Sequence, residues 1–323
     1  MKTVIQLVDS IDYVRANCFQ HQLTVALGEV CNLVQVELQT VIDGRQPKPE
    51  ADSVISCLKQ RTLDRYRYAV ARYLDGMPVT VYDQDPWQAF MDDSPHKGAY
   101  DRIVSVVNVK TFALTTQWWV DFLRERNLPA TFVRMWVLPK YCVQRPSYLD
   151  RSAIAGFVGT VHPRRQQLLD IINNAGIKTS VLRSSSLAYG PFLTELSKLR
   201  CFVHNEDMAI HVDGKELNFN TGMWVKDIEA ASQGCFSIRN VGKGSDTYFG
   251  DLPMVDGKGL IRLCERIEDV PQLLTDIEKM DPSVRQTLID QTVDYIRKAN
   301  KWHETANALV MNSDTIEGRI ETT

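Results

Sequence analysis

Short runs rich in β-branched and apolar residues alternate with helical patterns through most of this 323-residue chain. Alternating strands and helices predict a parallel sheet covered by helices on both faces. The alternation breaks once, between Pro139 and Ser152, where two prolines and several polar residues show no period. One hydrophobic core rarely serves more than about 250 residues, so we expect two domains joined by this segment.

The first alternation occupies residues 1–140. It predicts strands at Thr3–Val8, Leu33–Ile42, Pro78–Tyr82, Arg102–Asn108 and Ala130–Leu138, and helices at His21–Val30, Ser53–Leu74 and Thr115–Arg126. Gly76 and Pro78 stop the second helix, since glycine just past a helix and proline beyond it are stop signals.

The second alternation occupies residues 153–280. It predicts strands at Ala153–Thr160, Thr179–Leu182, Arg200–Val203, Cys235–Ile238 and Leu260–Cys264, and helices at Arg164–Asn174, Pro191–Lys198 and Met223–Gln233. A last helix, residues 281–312, begins at Asp281-Pro282 and is expected to cross back to the first domain. The predicted fold is α/β, with two Rossmann-like, doubly wound domains facing a cleft at their carboxyl edges.

Composition narrows the function classes. The formal net charge of −3 argues against a surface that binds nucleic acid everywhere, while a local basic surface stays possible. No stretch approaches the roughly 18 apolar residues of a membrane helix. The seven cysteines are scattered and never spaced Cys-x-x-Cys, which is typical of a reducing compartment. We therefore expect a cytoplasmic protein without a membrane span.

The second domain opens with a candidate phosphate site. A strand ends in the small residues Gly159 and Thr160, and a helix starts directly afterwards with Arg164 and Arg165. Small residues let a phosphate approach the backbone, the helix start offers N–H groups, and arginines add charged contacts. A tight turn with solvent-facing arginines explains the pattern equally well. The Gly-x-Gly-x-x-Gly spacing of dinucleotide-binding proteins is absent.

A second motif lies further along, in a helix that ends on Gly234. Glu229 lies within this helix, and Lys226 precedes it by three residues on the same face. A carboxylate at a cleft edge can hold both ribose hydroxyls, and the lysine can reach a diphosphate. A plain ion pair on a surface helix is the alternative.

Together these motifs resemble the donor-binding half of GT-B glycosyltransferases, in the group-1 set that includes CgeB-like proteins. The resemblance rests on residues 157–160, Arg164 and the Glu-Ala-Ala-x-x-Gly run at 229–234, and on the order of the elements from Ala153 to Val310. Near the end of the chain, Tyr295, Arg297, His303 and Thr305 are similar to the family's last helix. The first domain matches in architecture only.

The resemblance implies a nucleotide-sugar co-substrate and no other cofactor. Matching positions imply that Glu229 holds the ribose, and that the diphosphate is faced by Gly159, Thr160, Arg164 or Arg165, and Lys226. The chain departs from the family twice. Thr221 stands where many members carry a second glutamate, and Lys226 stands where many carry arginine. The acceptor is not named by the sequence, and a small molecule, a glycan or a nucleic-acid base all fit.

The first domain is expected to supply the acceptor site and a general base. Asp9 and Asp12 follow its first strand, and Asp85 follows its third. Aspartates at such positions are also common as turn formers and helix caps. Asp83-x-Asp85 further resembles the divalent-metal motif of single-domain transferases. This resemblance favours a metal-dependent reaction, whereas we expect a metal-independent one.

Three alternatives remain beside the metal-independent glycosyltransferase: a nucleotide-sugar epimerase, a metal-dependent transferase using Asp83 and Asp85, and a non-catalytic nucleotide-sugar-binding protein. One further pattern stands apart from the donor motifs. The long helix that ends at Leu74 interleaves arginines with tyrosines, namely Arg61, Arg65, Tyr66, Arg67, Tyr68, Arg72 and Tyr73. A nucleic-acid surface and an ordinary solvated helix face explain this pattern equally well.

Overall fold

The computed structural model describes residues 1–311, except for residues 17, 45–46, 143–144, 183–188, 207 and 220–223. These residues form two compact units. The first contains Met1–Arg134, Ile210–Leu217 and the chain from Trp302 onward, and the second contains Met135–Ala209 and Asn218–Lys301. The chain therefore changes unit at Arg134, a few residues before the expected linker.

A six-stranded parallel sheet forms the centre of the first unit. Its strands are β1 (Thr3–Val8), β2 (Asn32–Glu37), β3 (Ser53–Ser56), β4 (Val79–Asp83), β5 (Val109–Leu114) and β6 (Ala130–Phe132). The intervening helices are α1 (Ile11–Ala16), α2 (Cys18–Val30), α3 (Leu38–Asp43), α4 (Gln60–Leu74), α5 (Ala99–Val104) and α6 (Gln117–Arg124). The spatial order is β2-β1-β3-β4-β5-β6, so the order reverses between β1 and β3.

Three elements of this unit differ from the sequence prediction. The predicted strand Leu33–Ile42 is β2 followed by α3, and the predicted strand Arg102–Asn108 is the end of α5 and a turn. The predicted helix from Ser53 begins only at Gln60, because its first four residues form β3 between β1 and β4. A four-residue apolar run has no period of its own, so only its neighbours in the sheet identify it as a strand.

The second unit contains a five-stranded parallel sheet of order β15-β12-β9-β7-β8. Its strands are β7 (Ala153–Val158), β8 (Thr179–Leu182), β9 (Leu199–His204), β12 (Phe236–Asn240) and β15 (Ile261–Cys264). The remaining strands form two short pairs, β10 (Met208–Val212) with β11 (Lys215–Phe219), most of which belongs to the first unit, and β13 (Met254–Val255) with β14 (Lys258–Gly259). The helices are α7 (Pro163–Asn174), α8 (Tyr189–Ser197), α9 (Trp224–Ser232), α10 (Ser245–Phe249), α11 (Val270–Glu278) and α12 (Pro282–Ala299), and α13 (Lys301–Met311) follows them.

Both sheets reverse their strand order after the first strand of the unit, which is the doubly wound arrangement that the sequence predicted. The central strands are buried on both faces; five of the six β1 residues and all residues of β3, β4 and β12 are buried. That burial explains why such strands appear in the sequence as continuous apolar runs. The predicted α/β class with two Rossmann-like domains is confirmed.

The β10–β11 pair was not predicted, and its turn belongs to the first unit. The Asp92 carboxylate accepts hydrogen bonds from the backbone N–H of Asp213 (3.1 Å) and of Gly214 (2.8 Å). Arg126 adds an ion pair to Asp213 at 2.8 Å. These contacts fix the turn, because one side chain satisfies two successive N–H groups.

The helical run that follows Asp281 is two helices and not one. Asp281 caps α12 as expected, since its carboxylate accepts from the N–H of Ser283 and of Val284. Asn300 then adopts a left-handed conformation (φ 37°) that ends α12. From Trp302 onward α13 belongs to the first unit, where the Thr305 hydroxyl donates to the carbonyl of Arg134 at 2.8 Å.

None of the described helices is long and apolar enough to span a bilayer. Six cysteines, namely Cys31, Cys57, Cys142, Cys201, Cys235 and Cys264, are free thiols, and all except Cys142 are buried.

Candidate functional site

In doubly wound sheets, ligands bind beyond the carboxyl ends of the strands where the strand order reverses. In the second unit this position lies between β7 and β9. Gly159 and Thr160 follow β7, and Asn205 and Glu206 follow β9. The Asn205 amide donates to the carbonyl of Arg164 (3.1 Å), which ties the two loops together.

The turn after β7 needs glycine. Gly159 has a φ of 143°, and a Cβ there would lie 3.0 Å from Nζ of Lys226 and 3.2 Å from the Phe157 ring. The same ammonium group lies 3.3 Å from the carbonyl oxygen of Val158. Gly159 and Lys226 were predicted from separate motifs, and the fold brings them into contact through the half-buried Lys226 side chain.

The two arginines at the start of α7 point to different places. Arg165 is buried, and its guanidinium group donates to Glu206 and to the carbonyl of Thr160 (2.6 Å). Arg164 also pairs with Glu206, at 2.8 Å, but 29% of its side chain is exposed. Arg165 thus shapes the turn from inside, whereas Arg164 is the arginine that a bound anion can reach. Thr160 is exposed.

A line of buried ionisable groups continues inward from Glu206. Its carboxylate lies 2.7 Å from Nε2 of His204, and Nδ1 of His204 lies 3.7 Å from Asp227. Asp227 in turn accepts from Arg239 (2.6 Å) and from the Ser237 hydroxyl (2.5 Å). The side chains of His204, Asp227 and Arg239 are completely inaccessible to solvent.

The balance of charge keeps both carboxylates ionised. Burial acts to raise the pKa of Glu206, but His204 and the two arginines of α7 outweigh burial and hold this pKa well below its usual range. Burial also acts to raise the pKa of Asp227, and Arg239, His204 and Ser237 together lower it. This line, Glu206–His204–Asp227–Arg239, is called the buried charge line below.

Sequence reasoning did not identify Glu206, Asp227 or Arg239. A signal was present, because a polar run directly follows the apolar strand that ends near Val203. Such a run indicates either an exposed loop or a functional site. Asp227 and Arg239 carry no local signal, because their partners come from other elements, namely α9, β9 and β12.

Glu229, the residue predicted to hold the ribose, is fully buried in α9. Its place one turn after Lys226 is as expected, but its carboxylate does not lie at the surface of the described residues. Its ribose contact stays a prediction. The position of Thr221, where the family pattern is broken, lies outside the described residues.

Gly234, at the end of the same motif, is required by its surroundings. Its φ is 67°, and a Cβ would lie 2.9 Å from Ile289 and 3.0 Å from the guanidinium group of Arg151. Gly176, which follows α7, also has a positive φ (82°), but nothing lies within 4 Å of a Cβ there.

We expect Gly234→Ala to destabilise the protein by about 2–4 kcal/mol, the sum of the left-handed backbone cost and an overpacked neighbourhood. Gly176→Ala is the matched control and should cost only the backbone term, about 1 kcal/mol. Urea unfolding of both variants measures the difference. Equal losses would show that the crowding around Gly234 relaxes without cost.

Asp9 lies at the corresponding reversal of strand order in the first unit. It follows the end of β1 and is half-buried, next to β3 in the sheet. Burial raises the pKa of its carboxyl group, while the charges of Lys59 and Arg61 partly offset this effect. A half-buried carboxylate with a raised pKa at a sheet edge suits proton acceptance.

The other first-unit candidates are placed differently. Asp12 is exposed in the first turn of α1. Asp83 is buried at the end of β4, where its two carboxylate oxygens accept from the Tyr100 hydroxyl (2.7 Å) and from the N–H of Asp85 (3.0 Å). Burial raises the pKa of Asp83 to about 6, although both hydrogen bonds favour its charged form.

Asp83 and Asp85 therefore form a local turn in the structure, in which the first carboxylate caps the backbone of the second residue. Among the described residues, no three histidine, cysteine, aspartate or glutamate side chains are grouped so that they could hold a metal ion. The arrangement of these two aspartates does not favour the metal-motif alternative.

Comparison with known proteins rests on structure alone. No protein-family model matches the sequence, and no curated protein matches it. The structure is similar to the trehalose-6-phosphate enzyme of E. coli bound with UDP-2-fluoro glucose, at 8% identity and a TM-score of 0.62, over 97% of this chain and 99% of that chain.

Two further solved structures cover nearly the whole chain. The DNA-modifying enzyme β-glucosyltransferase has 9% identity and a TM-score of 0.61, over 98% of this chain and 100% of that chain. HepE of Anabaena, in complex with UDP and glucose, has 9% identity and a TM-score of 0.60, over 97% and 99%. The chain has the GT-B fold. Identities this low show the fold and no more, and the CgeB-like subgroup stays a prediction.

Proposed function

We propose that this protein is a glycosyltransferase that moves a sugar from a nucleoside-diphosphate sugar to an acceptor hydroxyl, without a bound metal ion. The observation that carries the proposal is the contact of Lys226 with the Gly159 turn, at the reversal of strand order where doubly wound sheets bind ligands. The structural neighbours crystallised with UDP or a UDP-sugar support the same choice of donor.

The donor diphosphate fits the second unit because cationic groups from two elements converge there. Lys226 of α9 supplies an ammonium group beside the turn, and Arg164 supplies a partly exposed guanidinium group at the start of α7. The N-terminus of α7 carries no side-chain cap on His162, so its dipole adds positive potential. Together these groups stabilise the negative charge that grows on a leaving diphosphate.

In the reaction that we propose, the acceptor oxygen forms a bond to the anomeric carbon, and the bond from that carbon to the diphosphate oxygen breaks. The electron pair leaves with the diphosphate, whose charge Lys226 and Arg164 stabilise. The hydroxyl proton goes to Asp9, the best placed of the three candidate bases, because Asp12 is exposed and Asp85 belongs to the Asp83 turn.

The test is binding and turnover of UDP-glucose by the whole chain. Lys226→Ala is expected to weaken binding about 10- to 150-fold, since a charged hydrogen bond contributes roughly 1.5–3 kcal/mol. Lys178→Ala, an exposed lysine of the same unit, is the matched control and should bind normally. Isothermal calorimetry measures both.

The alternative functions can be distinguished by the products that each would form. An epimerase would convert the donor alone, without any acceptor, and a binding protein would hold the donor without turnover against every acceptor. A metal-dependent transferase would lose its activity in a chelator and recover it with manganese. Normal donor binding by Lys226→Ala, or no UDP-sugar binding by the native protein, would contradict the proposal.

A further inference from the structure

The outer face of α4 is a basic surface that does not hold the fold together. Arg61, Arg65, Tyr68 and Arg72 follow one another at spacings of four, three and four residues, the spacing of one helix face, and Tyr66 has non-helical angles (φ −108°, ψ 15°) that kink α4 between Arg65 and Tyr68. All four are exposed, and 65% of Tyr68 is accessible to solvent. We call these four residues the α4 stripe. The opposite face contains the buried residues Gln60, Leu63, Asp64, Val70 and Leu74.

The charge of α4 contrasts with that of the chain. Between Lys59 and Leu74 there are five basic side chains and one acidic side chain, Asp64, whereas the whole chain has 37 basic and 40 acidic residues. Asp64 is already paired with Arg67 and Arg102 on the inner side. Among the described residues, no carboxylate lies within ion-pair distance of the three arginines of the stripe. A helix face that only contacts solvent does not require an excess of basic over acidic side chains.

The dimensions of the stripe match an extended polyanion. Arg61 and Arg72 are eleven residues apart, which is at most roughly 16 Å along a straight helix. A nucleic-acid strand advances about 3.4 Å per nucleotide, so the stripe is about five nucleotides long. The guanidinium group of Arg67 lies 4.7 Å from the centre of the Tyr68 ring. The ring thus offers a flat, supported surface on which a base can stack.

The N-terminal end of the stripe acts electrostatically on the proposed base. Lys59 and Arg61, at the N-terminal end of α4, are the two charges that act on the Asp9 carboxyl group. Since β1 and β3 are parallel neighbours, Asp9 and the N-terminal end of α4 lie at the same edge of the sheet, and a nucleic-acid strand along the stripe extends toward that edge.

We propose that the α4 stripe binds a nucleic-acid strand, and that this strand carries the acceptor hydroxyl. The proposal rests on the proposed function for the transfer itself, but binding of the strand is independent of it. The stripe fits a bilayer less well, because an interfacial helix inserts apolar side chains and the large side chains of this stripe are arginines and one tyrosine.

The probe is a short fluorescein-labelled single-stranded DNA, with the unlabelled RNA of the same sequence as competitor. The first variant is Arg61→Gln/Arg65→Gln/Arg72→Gln. Its control is Lys178→Gln/Lys258→Gln/Lys279→Gln, which removes three exposed charges from the second unit. Fluorescence anisotropy at about 50 mM and 200 mM salt gives the affinity and its salt dependence.

We expect the arginine variant to bind DNA at least tenfold more weakly, with a salt slope reduced by about 2 because three phosphate contacts of about 0.7 each are lost. The control should stay within about twofold of the native protein. Tyr68→Ala should weaken binding about 5- to 150-fold and keep the salt slope, since stacking involves no counterion release.

Native affinity in the arginine variant, or no DNA binding by the native protein, would overturn the proposal. Co-sedimentation with anionic phosphatidylglycerol vesicles that depends on the stripe, without DNA binding, would also overturn it in favour of a membrane. UDP-glucose affinity is measured on every variant. Donor binding without DNA binding would refute this inference alone, and DNA binding without donor binding would refute the proposed function alone.

Discussion

Arg239→Met destabilises the protein by about 3–5 kcal/mol, the largest stability loss that we expect from a single substitution in this chain. The arginine is completely buried and donates to Asp227 at 2.6 Å. Its removal leaves a fully buried carboxylate without its strongest cationic neighbour, and the cost of that charge exceeds the value of the lost contact. Urea unfolding near neutral pH measures the change.

Two control variants separate the effect of the unpaired charge from the effect of the changed side-chain volume. Arg239→Met combined with Asp227→Leu removes both charges, so the double variant should recover at least half of the loss. Arg297→Met breaks an exposed pair with Asp294, whose side chains are 53% and 39% exposed, and should change stability by less than about 1 kcal/mol. A loss below about 1 kcal/mol in the single variant would contradict the role of the buried charge line.

The free energy of unfolding at acidic pH provides a second test of the Arg239→Met variant. The pKa values of Glu206 and Asp227 are depressed in the folded protein, so the stability that they contribute is complete above their unfolded values, near 4.5 and 3.8. It is lost as the pH falls below those values. Because Arg239 is a main cause of the low pKa of Asp227, the stability gap between native protein and Arg239→Met should narrow as the pH falls below about 4.

Asp9→Asn is expected to lower turnover about 10²- to 10⁴-fold, the range that a general base contributes, and to leave UDP-glucose affinity within about twofold. Asparagine keeps the size of the side chain but accepts no proton. Turnover is measured as nucleoside diphosphate released from UDP-glucose in the presence of hexoses, hexose phosphates or oligonucleotides.

Asp12→Asn is the control for Asp9→Asn. Asp12 is three residues away and exposed, so its variant should keep turnover within about threefold if Asp9 is the base. The acid limb of the native rate profile should also lie above the ordinary aspartate range, because burial raises the pKa of Asp9. A dead Asp12→Asn with an active Asp9→Asn would move the base to Asp12, and a dead Asp85→Asn would move it to Asp85.

The sequence by itself determined the features that rest on local chemistry. Continuous apolar runs and helical periods identified most strands and helices, because buried parallel strands and amphipathic helices leave their periods in the chain. The Asp281-Pro282 cap and the Gly159 turn were also recognised, since each depends on the conformational preference of one or two residues.

Only the tertiary structure decided the features that depend on the order of the strands in each sheet. β3 is a strand only because β1 and β4 flank it, and Asp9 gains its environment from the loop that follows β3. Glu206, Asp227 and Arg239 are far apart in the chain and share no motif. They meet because β9 and β12 are neighbours in the sheet, and a buried charge is stable only where that pairing supplies its partner.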